Sequence, residues 1–135
     1  MVRSGNPTQW ADGYPQREML ENDMAFRRLY VAEDVSGIHG VFFFDIMDDP
    51  TYTCIEAGTW GSNEPYGVIH RIASDGSGGI FAACLRYCTE IIRHIRIDTH
   101  HDNRPMQHIL EKNGFHRSGI IYVADGSPRI AYDRI

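Results

Sequence analysis

The chain has 135 residues, enough for one domain with a buried core and too few for two ordinary ones. With 42% hydrophobic and 23% charged residues its composition is globular rather than disordered, and 13 basic against 18 acidic residues, a formal charge of -5, excludes the basic excess of a general nucleic-acid binder. No apolar run reaches the roughly 20 residues of a membrane span, and the opening MVRSGNPTQW lacks the apolar stretch of a secretory signal. Cys54, Cys84 and Cys88 are odd in number and show no disulfide-like spacing, which points to a reducing, cytoplasmic setting.

No repeat, low-complexity tract or linker breaks the chain, so residues 1–135 are expected to form a single domain. Residues 1–14 are polar and rich in turn formers. Pro15 can open a helix, because its missing N–H would be unpaired there in any case, and Met19, Leu20, Met24 and Phe26 give that helix an apolar stripe. Residues 29–32 read as a short strand and 35–37 as a turn. The nearly continuous apolar run 38–47 (IHGVFFFDIM) reads as a strand buried on both faces, stopped by Asp48, Asp49 and Pro50. Residues 51–66 are broken by Gly58, Gly61 and Pro65 and fit neither pattern. Residues 67–73 (GVIHRIA) read as another apolar strand, and Gly76, Ser77, Gly78 and Gly79 as a tight loop.

A helix follows, with Ile80, Ala83, Cys84, Tyr87, Cys88 and Ile91 on one face at helical spacing. In residues 94–99, Ile95 and Ile97 alternate with Arg96 and Asp98, predicting a strand with one polar face. Asn103 is suited to cap the next helix, with Pro105 in its first turn, Met106, Ile109 and Leu110 on its apolar side, and Gly114 and Phe115 at its end. Residues 117–123 and 129–133 read as strands joined at Asp125-Gly126, a strong hairpin signal. The pattern is α/β with a closing β-hairpin.

Two stretches carry chemistry. Glycines ahead of a helix let successive amides face an anion, and the helix dipole adds to the effect, so 67–93 suits a phosphate. The loop lacks the Gly-Lys-Ser/Thr ending of a Walker motif, and Phe81 and its neighbours stand where a Rossmann fingerprint needs glycine. A plain turn remains the alternative. The second stretch is 94–123, with Asn103 opening a helix that ends Glu111-Lys112-Asn113-Gly114-Phe115.

This second stretch resembles the C-terminal half of the GNAT superfamily of N-acetyltransferases. GVIHRIASDGSGGIF resembles that family's acyl-CoA-binding segment, and the front part (GNPTQWADGYP, then EPYGVIHRIAS) is similar to small bacterial members. The resemblance implies an α/β fold with a mixed, mostly antiparallel sheet, a splayed parallel strand pair and helices on both faces. It implies direct transfer of an acetyl group from acetyl-CoA, as co-substrate, to a primary amine on a small molecule or peptide. The pantetheine would lie between the splayed strands on Ile72 and Ala73, with the diphosphate over Gly76, Ser77, Gly78, Gly79, Ile80 and Phe81. Arg71 would add charge, and Asn103, Met106 and Gln107 would line the other side.

The amine needs a base, the oxyanion donors, and the thiolate an acid. Glu64 and His70 are the base candidates, and the amide near Ile72 suits the oxyanion. The thiolate-protonating Tyr of many members falls at Leu110, leaving Tyr122 or a water. The loop also departs from the family pattern in carrying Phe81 at its last small position and Asp75 beside it. The usual first strand and most of the first helix are expected to be missing.

Trp10, Tyr14, Trp60 and Tyr66 are candidates to wall an amine pocket or to plug the core, and Asp12, Glu56 and Glu64 are candidates to attract an ammonium. Seven histidines raise a metal site. However, His100 and His101 would face opposite ways on a continuing strand and Cys84 and Cys88 fall on an apolar stripe, so no metal is expected. A homodimer is compatible with the sequence. The rival reading is a non-catalytic acyl-CoA-binding or regulatory module.

Overall fold

The computed structural model describes residues 2–4, 28–75 and 79–135, with backbone alone for 2–4 and Arg71. The helix predicted from Pro15, the candidate pocket residues Asp12, Trp10 and Tyr14, and the loop residues Gly76, Ser77 and Gly78 lie outside the described residues. In chain order run β1 (Val2–Ser4), β2 (Leu29–Asp34), β3 (Gly37–Ile46), a 3-10 turn (Pro50–Tyr52), β4 (Gly67–Ser74), α1 (Ile80–Ile91), β5 (Ile95–Thr99), α2 (Arg104–Lys112), β6 (His116–Tyr122) and β7 (Pro128–Arg134). The described ladders are antiparallel except for one parallel pair, β4 with β5, which gives the expected mixed α/β class. Two compact units are distinguished, one from residues 1–45 and 69–87, the other from 46–68 and 88–135.

In the first unit the strands follow the order β1-β2-β3-β4. The triple Phe makes β3 a strand buried on both faces, with Phe42, Phe43 and Phe44 all inside. Tyr30 on β2 stacks on Phe42 at 5.4 Å and meets Tyr87 of α1 at 5.3 Å. β2 runs two residues further than the sequence suggests, to Asp34, through a bulge at Ala32/Glu33. Gly40 is needed for packing: a Cβ there would lie 2.7 Å from the Ile80 side chain and 3.0 Å from the Ala73 carbonyl.

The helix α1 forms where its period predicts, but its buried stripe is rotated. Phe81, Cys84, Leu85 and Cys88 are buried, while Ile91 is half exposed. Phe81 and Leu85 form a second apolar row beside the predicted one, and that row is buried together with Cys84 and Cys88.

One polar knot straps the end of β4 to the β2–β3 turn. His39 Nδ1 lies 2.7 Å from Asp75 Oδ2, and its Nε2 lies 2.9 Å from Asp34 Oδ1 and 2.8 Å from Ser36 Oγ. The Asp75 amide donates to the His39 carbonyl at 2.9 Å. Hydrogen bonds to Asp75 and then Asp34 raise the His39 pKa above its ordinary 6.5. Bonds from Ser36 and then His39 hold the Asp34 carboxyl well below the usual range.

In the second unit the order is β4-β5-β7-β6. β5 does not have the predicted solvent-facing polar side: Arg96 is 5% exposed, as deeply placed as its apolar neighbours. On β6 a register shift between Arg117 and Gly119 turns Ser118 inward. The stretch before Trp60 is laid against this bulge by reciprocal 2.8 Å bonds between Glu56 and Ile120. Gly58 allows that approach, because a Cβ would strike the Ser118 carbonyl.

The helix α2 follows its local signals. The Asn103 side chain accepts the Met106 amide at 3.2 Å. Gly114 takes φ +88°, and the Phe115 amide closes on the Leu110 carbonyl at 3.0 Å.

Gly58→Ala is expected to lower stability by about 1–3 kcal/mol in urea unfolding, since everything its Cβ would meet is backbone. The His39 knot predicts a pH dependence. A raised histidine pKa contributes stability that is complete below about 6.5 and lost as pH rises through the folded value. The lowered Asp34 contributes above about 4 and is lost on acidification. Thermal unfolding should therefore separate wild type from His39→Asn most at pH 5–6, with the gap closing at alkaline pH.

Candidate functional site

A cleft of about 330 Å³ opens in the second unit, lined by Ile46, Met47, Asp48, Asn63, Glu64, Pro65 and Tyr66. Ile46 ends β3, Met47 and Asp48 follow it, and residues 63–66 lead into β4. The two walls are tied at their base, where the Asp49 amide donates to the Tyr66 hydroxyl at 3.0 Å. Asp49 is itself buried, and its Oδ1 accepts from the Thr51 amide and hydroxyl at 2.9 and 2.7 Å. The two chain segments therefore form a fixed pair of walls.

Behind Tyr66 lies a buried cation. The Arg96 guanidinium sits between two rings, 4.0 Å from Tyr66 and 4.1 Å from Trp60. Its Nη2 donates to the Ser62 carbonyl at 2.7 Å, while its Nε has no hydrogen-bond partner among the described residues. Burial lowers its pKa, opposed by nearby Tyr66 and Asp133.

Asp133 on β7 is buried and accepts from three elements: Ser118 Oγ at 2.7 Å, the Gly61 amide at 2.9 Å and His94 Nε2 at 3.0 Å. The other nitrogen of His94 lies 3.2 Å from the Glu64 carbonyl. Trp60 Nε1 donates to the Tyr52 carbonyl, and the Tyr52 hydroxyl donates to Asp98 at 2.7 Å. Burial, then the Asp98 charge, pushes the Tyr52 pKa well up. An irregular segment with almost no secondary structure of its own is thus held by side chains.

The parallel ladder between β4 and β5 is short. Its pairs are Gly67↔Ile95 and Val68↔Arg96. Against solved structures, this fold is similar to a GNAT-family acetyltransferase from Streptococcus agalactiae, at 28% identity over 94% of this chain and 76% of that one, with a TM-score of 0.77. GNAT-family acetyltransferases from Listeria monocytogenes (16% identity, 99% and 93% covered, TM-score 0.69) and Bacillus cereus (20%, 88% and 78%, 0.64) share the fold. The fold is that of GNAT-family acetyltransferases. No family model and no curated protein sequence matches it. Among the described residues no helix is long and apolar enough to cross a membrane.

This likeness in fold puts the predicted residues in context. Glu64 lines the cleft. His70 is half buried on β4 with its ring 5.6 Å from Phe43. The Tyr122 hydroxyl donates to Glu56 at 2.9 Å, a bond that raises its pKa, so both Tyr122 and Glu56 have an internal partner. Ile72 and Ala73 are half buried on β4. Past the loop, Gly79 takes φ +79° and the first helical bond of α1 runs from the Ala83 amide to its carbonyl; Ile80 and the buried Phe81 open the helix. A helix start of this kind carries the partial positive charge that suits a phosphate.

Asn103 is occupied as the α2 cap, and the Gln107 side chain clamps the preceding turn through the His100 and His101 carbonyls at 3.3 and 2.8 Å, with Met106 half buried beside it. Of the two readings for Trp60 and Tyr66, both rings pack on the chain's own Arg96, and Tyr66 also lines the cleft. The condition for His100 and His101 to diverge, a continuing strand, is not met. The strand ends at Thr99, and in the turn that follows the two rings stack at 4.4 Å beside Asp102.

Asp48 was legible only as a strand stop, and Arg96 only as one member of an alternation. The nearest signal for Arg96 was a full charge between two isoleucines, with two aromatics in the preceding irregular stretch.

Asp133→Ala is expected to cost about 3–5 kcal/mol in denaturant unfolding, because it strips three donors of their acceptor and the buried Arg96 of a balancing charge.

Proposed function

We propose that the chain is an acetyl-CoA-dependent N-acetyltransferase that passes the acetyl group directly to a primary amine. What supports this reading is the likeness in fold to a GNAT-family acetyltransferase, with one parallel strand pair, β4 with β5, among otherwise antiparallel ladders. The amide near Ile72 is the proposed oxyanion donor.

In the reaction a neutral amine nitrogen attacks the thioester carbonyl carbon. A C–N bond forms, the C–S bond breaks, and the sulfur leaves as thiolate. The proton lost from nitrogen passes to a base and, in the end, a proton reaches sulfur. Glu64, which lines the cleft, is the proposed base, directly or through water; His70 is the second candidate. Tyr122 is the proposed proton source for sulfur only if it exchanges its bond to Glu56. Leu110, which stands where many family members carry Tyr, is fully buried and supplies no proton. The diphosphate is proposed to rest at the start of α1, with Arg71 contributing charge.

Acetyl-CoA at 100 times its Kd should raise the folding free energy by about 2.7 kcal/mol, and an amine panel should drive free-thiol release, monitored with a chromogenic disulfide. Glu64→Gln should reduce kcat/KM by about 100-fold. Stabilisation without thiol release on any amine would replace this reading with an acyl-CoA-binding module, and no stabilisation by CoA or acetyl-CoA would sink both.

A further inference from the structure

The lining of the cleft points to the class of acceptor. It has two carboxylates, Asp48 and Glu64, one amide, Asn63, and no lysine, arginine or histidine among its seven residues. Among the described residues behind this wall, Arg96 is buried behind the Tyr66 ring and His94 is turned to Asp133, which lies 3.0 Å from its Nε2. The rest of the wall is apolar: Ile46, about half exposed, with Met47 and Pro65. At about 330 Å³ the space is at the small end for ligand sites, enough for a short molecule and not for a folded partner.

A monoamine must lose its only charge to react, and with that proton passed to Glu64 the Asp48 carboxylate would face a neutral ligand. An amino acid would bring its own carboxylate against two others, a repulsion that grows as water is displaced. A ligand with two amines joined by an aliphatic spacer fits every part of the wall. One nitrogen is deprotonated for attack while the other stays charged, and the spacer covers Ile46, Met47 and Pro65.

Resting on the acetyltransferase reading, we infer that the acceptor is a small aliphatic diamine whose non-reacting ammonium is held by Asp48, which makes Asp48 the residue that selects for a second positive charge. Asp48 lies two residues past the end of β3 and precedes Asp49, whose amide is fixed to Tyr66, so its backbone is anchored although its side chain is exposed.

The test has two arms. In turnover with acetyl-CoA, 1,4-diaminobutane should exceed n-butylamine in kcat/KM by at least about fivefold, and methionine should be a poor acceptor. Asp48→Asn should raise KM for the diamine about fivefold, with the loss in KM rather than kcat, and bring the two amines close together. Equal use of the three amines, or an unchanged diamine KM in Asp48→Asn, overturns the proposal.

The second arm needs no turnover. Titrating 1,4-diaminobutane into the full chain should shift the Met47 ε-methyl and Ile46 δ1-methyl NMR signals, with a weaker effect in Asp48→Asn. Diamine binding here without acetyl transfer would remove the enzymatic reading and leave the diamine site standing. Absence of these shifts overturns the diamine site even if acetyl transfer to another amine is found.

Discussion

A guanidinium held between two aromatic faces organises the second unit. Arg96 has given up bulk water, and its return is a cation–π contact on each side and a single strong hydrogen bond to the Ser62 carbonyl. Placing a charge inside is costly unless its partners are fixed, and here they are fixed by the Asp133 carboxylate, which draws in Gly61, His94 and Ser118. Residues 53–66 have almost no ladder of their own. Their position is set by what converges on β5 and β7, and the cleft wall at 63–66 inherits that position.

The same logic explains the glycines and the bulge. The shift on β6 sends Ser118 inward to Asp133, and Gly58 and Gly119 remove the side chains that would block the neighbouring backbones. In the first unit, Gly40 does the equivalent for the start of α1, and the His39 knot ties the end of β4 to the turn after β2. Asp75, an acidic residue at the edge of the proposed phosphate loop, thus faces a histidine whose protonation its own carboxylate favours.

Much of this was legible in the sequence because the signals were local. Asn103, Pro105 and Gly114 mark the ends of α2 within a few residues, and Asp125-Gly126 marks the final hairpin, where Gly126 takes φ +85°. The buried triple Phe needed no partner to be recognised. Arg96 was misread because alternation alone treats a charge as a solvent-facing residue, while the aromatics that bury it come from another part of the chain. The face of α1 was misjudged because two apolar rows overlap, and only packing selects between them. For the cleft, Glu64 was found by its place before β4. Asp48 was not, because a strand stop and a ligand-facing carboxylate look identical until the opposite wall is known.

The bond from the Asp49 amide to the Tyr66 hydroxyl has a consequence for how the molecule can change. It joins the acidic lip to the ring that shields Arg96, so on the acceptor reading proposed above selectivity and rigidity would share one mechanical element. Substitutions that loosen the aromatic sandwich, even far from the opening, would blur the discrimination among amines while the fold still survived. A chain built this way would acquire new acceptors through its interior before it did so through its rim.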